Sequence, residues 1–402
     1  MTKKGVVFMA ISLSVILLLG LPMKKMFEKL RLPGLLGMLI LGVLIGPHGL
    51  NLLQEDMLQI SSDLRSIALI IILLRAGLGL NKDELKRIGI PALKMSCIPG
   101  LLEGIFIAFA SVYFLGFSFA QGGMLGFIIA AVSPAVVVPF MLKLMENDLG
   151  TKKGVPTLIL AGASIDDVFA ITIFSAFLGL YSGSNKDIGI RLLNIPISIL
   201  LGIIAGVILG FVLIRIFKRY HIRDTKKVLL ILGFSILLNQ LESILKTKLQ
   251  IASLLGVMTI GFILTEKLHD VGKRLSDKFN KIWVFAEILL FVLVGAEVDV
   301  NVALKAGGVG IILIVIGLIG RSIGVIISLL GTDYNWKERL FCVIAYIPKA
   351  TVQAAIGAVP LSLGVESGDV ILAIAVLSIL ITAPLGAIGI HYSAEKLLIE
   401  KD

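Results

Sequence analysis

Two adjacent carboxylates, Asp166 and Asp167, stand inside the apolar stretch LILAGASIDDVFAITIF (158–174). At bilayer depth an ionised Asp costs roughly 2.5–3.5 kcal/mol. Three further ionisable side chains share that setting: Glu103, Arg321 and Lys349. Unpaired, the five cost on the order of 10 kcal/mol, comparable with the whole stability of a domain. They must be paired, hydrated or periodically neutralised. Arg does not release its proton in a protein, so Glu103 with Arg321 reads as a structural ion pair. Asp and Lys both do, so Asp166 and Asp167 form a coupled titratable site with Lys349 as its counter-charge. A hard monovalent cation such as Na⁺ or Li⁺ takes oxygen ligands. Asp166, Asp167, the Ser133 hydroxyl and the unwound carbonyls around Ser133 would supply them, and proton and cation then compete for the same carboxylates. Helical rotation turns Asp166 and Asp167 about 100° apart, so the two face different surroundings, and a reasonable division gives Asp167 to the cation and Asp166 to Lys349. The same rotation argues against an intramembrane aspartyl protease, whose two carboxyls share one proton across about 3 Å.

The elements that must position these groups are membrane spans. With 57% hydrophobic residues and a mean hydropathy of +1.02, the 402 residues carry more apolar surface than one water-soluble core can bury. Apolar runs of about 20 residues, divided by Pro, Gly and basic clusters, are helices rather than barrel strands. The fold class expected is an all-α polytopic membrane protein of about 13 transmembrane helices. The apolar run after the N-terminus reads as a retained first helix rather than a signal peptide. Two spans contain internal breakers at corresponding places in the two halves: 131–139, with Pro134 and Pro139, and 347–351, with Pro348 and Thr351. Non-helical backbone at membrane depth is tolerated where it lines a cavity or is buried in protein, and paired broken helices point to a transporter's binding site.

The formal charge of +10 invites a nucleic-acid reading, which its placement excludes. Loops after odd-numbered spans hold Lys24, Lys25, Lys29 and Arg31; Lys82, Lys86 and Arg87; Lys152 and Lys153; Lys218, Arg219, Arg223, Lys226 and Lys227; Lys267, Lys273, Arg274 and Lys278; and Lys337. Loops after even-numbered spans hold only Lys186, Lys246 and Lys248. By the positive-inside rule the N-terminus is expected outside and the C-terminus in the cytoplasm, in a cell (plasma or inner) membrane. Arg75, near a span end, is expected to snorkel, and Glu297 and Asp299 suit either a cation-attracting funnel or a solvated helix end. Cys97 and Cys342 lack metal-like spacing and read as small core residues.

The stretches LLRAGLGL (73–80), AVSPAVVVPFM (131–141), KGVPTLILAGASIDDVFAIT (153–172), LVGAEV (293–298), PKATVQAAIG (348–357) and LSILITAPLG (377–386) together resemble the cation/proton antiporter superfamily, most closely its NHA-type sodium/proton exchangers. The resemblance implies inverted repeats with two crossed broken helices. A transport core of 89–181 and 304–390 would move like an elevator against scaffold and dimerisation helices 1–88 and 226–300, with 190–217 as linker. It implies Asp166-Asp167 as the ion and proton site with Asp167 principal, Lys349 as core lysine, and Glu103 with Arg321 as core bridge. It further implies a homodimer in the bilayer, exchange of Na⁺ or Li⁺ for H⁺, and no cofactor. A passive or K⁺-selective efflux protein of the same fold is the alternative.

Overall fold

The computed structural model describes residues 3–30, 32–79, 82, 89–181, 188–220, 222–245 and 251–398, and every regular element among them is helical. Of the charges that set the expected sidedness, Arg31, Lys86, Arg87, Lys186, Lys246 and Lys248 lie outside the described residues. The chain runs α1 (Lys3–Lys29), α2 (Gly34–Ile45), α3 (Glu55–Gln59), α4 (Ser61–Gly79), α5 (Ile90–Leu115), α6 (Phe119–Ile129), α7 (Pro134–Glu146), α8 (Val155–Tyr181) and α9 (Ile188–Arg219). It continues through α10 (Asp224–Leu245), α11 (Ser253–Lys267), α12 (His269–Ala296), α13 (Val300–Ser328), α14 (Trp336–Ala345), α15 (Thr351–Ile356), α16 (Val359–Ser362) and α17 (Gly368–Leu397). Among the described residues, six helical stretches are long and apolar enough to cross a membrane unaided: 9–29, 90–115, 200–219, 269–296, 307–328 and 368–397.

By contact the chain divides into two compact units, one of residues 1–63, 87–181 and 288–402, the other of 64–86 and 182–287. In the first unit α5 and α13 lie closest. Gly324 lets this happen, since a methyl there would come within 2.6 Å of the Pro99 Cα, and a methyl at Gly317 would meet Ile107 at 2.5 Å. That approach sets Arg321 of α13 beside Glu103 of α5.

Both interrupted spans begin alike. The Ser118 side chain accepts from the Gln121 amide and Gln121 accepts in return from the Ser118 amide, a capping box that starts α6. Asn335 and Glu338 form the same device at the start of α14. Each box precedes the N-cap of the second half-helix, Ser133 or Ala350, by the same number of residues. The first break falls at 130–133, because the residue before Pro134 is barred from helical geometry; Ser133 is extended at φ −87°, ψ 110°. The expectation that Pro139 also breaks this span is corrected: α7 continues through position 139, and one lost backbone bond does not end a helix held at both sides. The second break covers 346–350 and includes Pro348.

The second unit is built on close packing of α9 against α11. Side chains at Gly202 and Gly206 would collide with the Ala252 and Gly256 carbonyls, so both positions admit only glycine at this separation. Asp224, which opens α10, accepts from Lys227 Nζ at 2.8 Å and from Arg274 Nε at 2.8 Å, fastening α10 to α12.

Candidate ion-binding site

The five expected intramembrane ionisable residues converge, and all are buried. Arg321 lies at the centre. Its Nη1 donates to Glu103 Oε2 at 2.6 Å and to the Ala130 carbonyl, while its Nη2 donates to Asp166 Oδ2 at 2.6 Å. The Tyr346 ring stacks over this guanidinium, 5.2 Å from Cζ to centroid. Lys349 Nζ donates to Glu103 Oε2 at 2.5 Å. Glu103 therefore receives both cations.

The expected bond between Asp166 and Lys349 is not formed. Asp166 takes Arg321 and the Val132 amide, the latter at 2.8 Å, and Lys349 takes Glu103. The physical reason is the fork of the guanidinium, which spans two carboxylates on different helices where an ammonium is a point charge. Arg321 thus organises the ionic network of both α5 and α8.

The carbonyls at the end of α6 are held by side chains. Gln353 Nε2 donates to the carbonyls of Ile128 at 3.1 Å, Ile129 at 3.0 Å and Ala131 at 2.9 Å, and Arg321 occupies that of Ala130. A helix end leaves carbonyls without intrahelical partners, and in a membrane these must be satisfied by protein. Gln353 and Arg321 perform that role for α6.

The two breaks are joined directly. The Ser133 amide donates to the Pro348 carbonyl at 2.8 Å, and the Ser133 and Thr351 hydroxyls stand 3.5 Å apart, both buried. Thr382 of α17 accepts from the Lys349 amide at 2.9 Å and donates to the Ser378 carbonyl at 2.7 Å. Pro134 begins α7 immediately after this junction.

Asp167 differs from its neighbours. It is buried, its Oδ1 has no hydrogen-bond partner, and it forms no ion pair among the described residues. Three carboxylates and two basic groups leave the cluster one negative charge in excess when all are ionised, and Asp167 is the carboxylate left without a direct cationic partner. One bound monovalent cation or one proton restores neutrality there.

Sequence reasoning missed Gln353, Tyr346 and two glycines. A methyl at Gly100 would lie 2.7 Å from Asp166 Oδ1, and one at Gly162 would overlap the buried Tyr346 hydroxyl. A Gln within an apolar span was a legible signal, by the same desolvation argument that singles out the charges. Of the lesser candidates, Asp299 caps α13 by accepting from the Asn301 amide at 2.8 Å, and Glu297 accepts from Ser61 at 2.9 Å, so both have structural contacts at helix ends.

Residues 13–395 match the family described as the transmembrane sodium/hydrogen exchanger. Sodium/hydrogen exchanger 9B2 of Homo sapiens is 36% identical over 388 residues, covering 91% of this chain and 70% of that protein. Sodium/hydrogen exchanger 9B1 of Homo sapiens is 34% identical over 388 residues, covering 91% and 73%. Among solved structures, the sodium proton antiporter MjNhaP1 of Methanocaldococcus jannaschii superposes with a TM-score of 0.85 over 98% of this chain and 100% of that one, at 22% identity, which establishes a shared fold.

Proposed function

The chain belongs to the sodium/hydrogen exchanger family and is a multi-pass membrane protein, and from that premise we propose that it is a secondary active antiporter exchanging Na⁺ or Li⁺ for H⁺ at Asp167. The observation that carries this reading is the buried Asp167 carboxylate, whose Oδ1 has no hydrogen-bond partner and which forms no ion pair among the described residues, beside four groups that are paired with one another. An uncompensated charge at that depth is costly, so the site holds either a proton or a metal cation, and the two exclude each other. That exclusion is the coupling. In this reading Asp166 and the Ser133 hydroxyl supply further oxygens, beside the paired Arg321, Glu103 and Lys349.

The finer architecture belongs to the same proposal. The chain spans the bilayer about 13 times with crossed broken helices. Residues 89–181 and 304–390 move as a transport body against 1–88 and 226–300, joined by 190–217, in an elevator-type cycle within a homodimer. The joined breaks support a single moving body, since Ser133 and Pro348 are hydrogen-bonded to each other. The N-terminus faces outward in the plasma or inner membrane.

Reconstitution tests the reading. Proteoliposomes with an imposed pH gradient receive Na⁺, Li⁺ or K⁺ while internal pH is followed by a fluorescent dye. Na⁺ or Li⁺ is expected to dissipate the gradient and Asp167→Asn to lose at least 100-fold in rate. Wild-type rates from Asp167→Asn would reject the site, and K⁺ flux without proton movement would replace antiport by a channel.

A further inference from the structure

Helix α9 presents two faces of opposite character. One carries Gly202 and Gly206 and packs on α11. Away from it runs an open groove of about 830 Å³ lined by Val207, Ile208, Phe211 and Val212 and then by Arg215, Lys218 and Arg219. The spacings 208, 211, 215, 218 and 207, 211, 215, 219 are those of one helical stripe, so the apolar and basic parts are continuous. Ile208, Phe211 and Val212 are exposed. Arg215, Lys218 and Arg219 are exposed too, and none has a carboxylate partner among the described residues.

Arg215 sets this stripe apart from an ordinary basic helix end. It lies inside the apolar stretch 200–219, one turn before the terminal pair, where a guanidinium without a counter-ion is unfavourable. From Val207 to Arg219 the helix rises about 18 Å, close to the roughly 15 Å depth of one leaflet's hydrocarbon. An acyl chain therefore fits beside Val207, Ile208 and Phe211 while its headgroup reaches the three cations. The Arg215 and Arg219 forks match phosphate oxygens, and Lys218 adds a point charge between them.

We propose that this groove is a binding site for one anionic phospholipid of the leaflet at the basic end of α9. The acyl chain occupies the apolar stripe, and the phosphate bridges Arg215, Lys218 and Arg219. Neutral phospholipids share the chain but carry a compensating headgroup cation, so the basic triad discriminates between them. The site lies on the segment assigned above as linker, and its occupancy is measured by binding alone, independently of ion exchange.

Native mass spectrometry of the full chain in detergent tests it, using phosphatidylglycerol and phosphatidylcholine with identical acyl chains. Wild type is expected to retain phosphatidylglycerol about tenfold better. Substitution R215Q/K218Q/R219Q is expected to bring the two lipids to parity, and Arg215→Gln alone to lower the preference two- to threefold. The control R223Q/K226Q/K278Q removes the same charge from other exposed positions and keeps the preference. The proposal is overturned by an unchanged preference in the triple variant, an equal fall in the control, equal retention of phosphatidylcholine by wild type, or displacement of the lipid by free glycerol phosphate. Loss of dimers from the triple variant with lipid retention unchanged would assign the face to a second copy of the chain and likewise overturn it.

Discussion

Arg321 Nη2 stands 2.6 Å from Asp166 Oδ2, so the first aspartate of the pair is held by a permanently charged partner, whereas the second forms no ion pair among the described residues. The two adjacent residues differ in surroundings, since one bonds the guanidinium and the other does not. This relationship ranks the consequences of removing each basic group. Arg321→Met strips a partner from both Glu103 and Asp166 and is expected to cost about 3–5 kcal/mol. Lys349→Met leaves Glu103 still bound to Arg321, and a loss of about 1–3 kcal/mol is expected. Thermal unfolding in detergent reads both, and a larger loss for Lys349→Met would reverse the assignment of Arg321 as organiser.

Gln353 supplies a second prediction. Gln353→Leu removes the donor shared by the Ile128, Ile129 and Ala131 carbonyls and leaves buried acceptors unsatisfied, at about 1–3 kcal/mol. Hydrogen exchange is expected to rise first in the amides of 130–133, whose backbone those carbonyls help to fix. If protection there is unchanged, Gln353 is not what holds the end of α6.

Gly100→Ala places a methyl 2.7 Å from Asp166 Oδ1. Overpacking of this kind costs about 1–3 kcal/mol, and here it also displaces the carboxylate from Arg321. A severalfold rise in the Na⁺ concentration for half-maximal exchange is expected, measured in the proteoliposome assay. Gly233→Ala, at a helical position open on its side-chain face, serves as the silent comparison.

At the start of α10, hydrogen bonds from Lys227 and Arg274 hold the Asp224 carboxyl below the usual range. Its folded pKa lies under the unfolded value near 3.9, so its contribution is fully present above about pH 4 and is lost as pH falls through the folded pKa. Asp224→Asn is expected to lower the unfolding temperature at pH 7, with the difference from wild type shrinking as pH falls below about 4. A difference that does not shrink as pH falls would show that charge is not its source.

How much was legible beforehand follows from what desolvation can and cannot report. Asp166, Asp167, Glu103, Arg321 and Lys349 stood out because each is costly in an apolar span, and that cost is written in residue type alone. The breaks at Pro134 and Pro348 were equally plain, since proline removes a donor wherever it stands. The pairing was not legible. Whether Glu103 or Asp166 meets Lys349 depends on how near α5 comes to α13, and Gly317 and Gly324 fix that distance only once their neighbours are known. Pro139 misled for a related reason, because one missing hydrogen bond ends a helix only where nothing else supports it.

The ion pair between Glu103 and Lys349 joins residues 246 positions apart, and it closes the cluster. At about 5–20 residues per second, a ribosome needs roughly 12–50 s to travel from one to the other. Once Asp166 and Asp167 have followed Glu103, about a quarter of the way through that interval, all three acids are made while Lys349 is not, and Arg321 arrives only near the end. The first half of the core must therefore wait in the membrane or the insertion machinery with its acids protonated or hydrated. Assembly of the site is a late event in the life of the chain, and a truncation before Lys349 leaves a half-core with carboxylates and no ammonium to receive them.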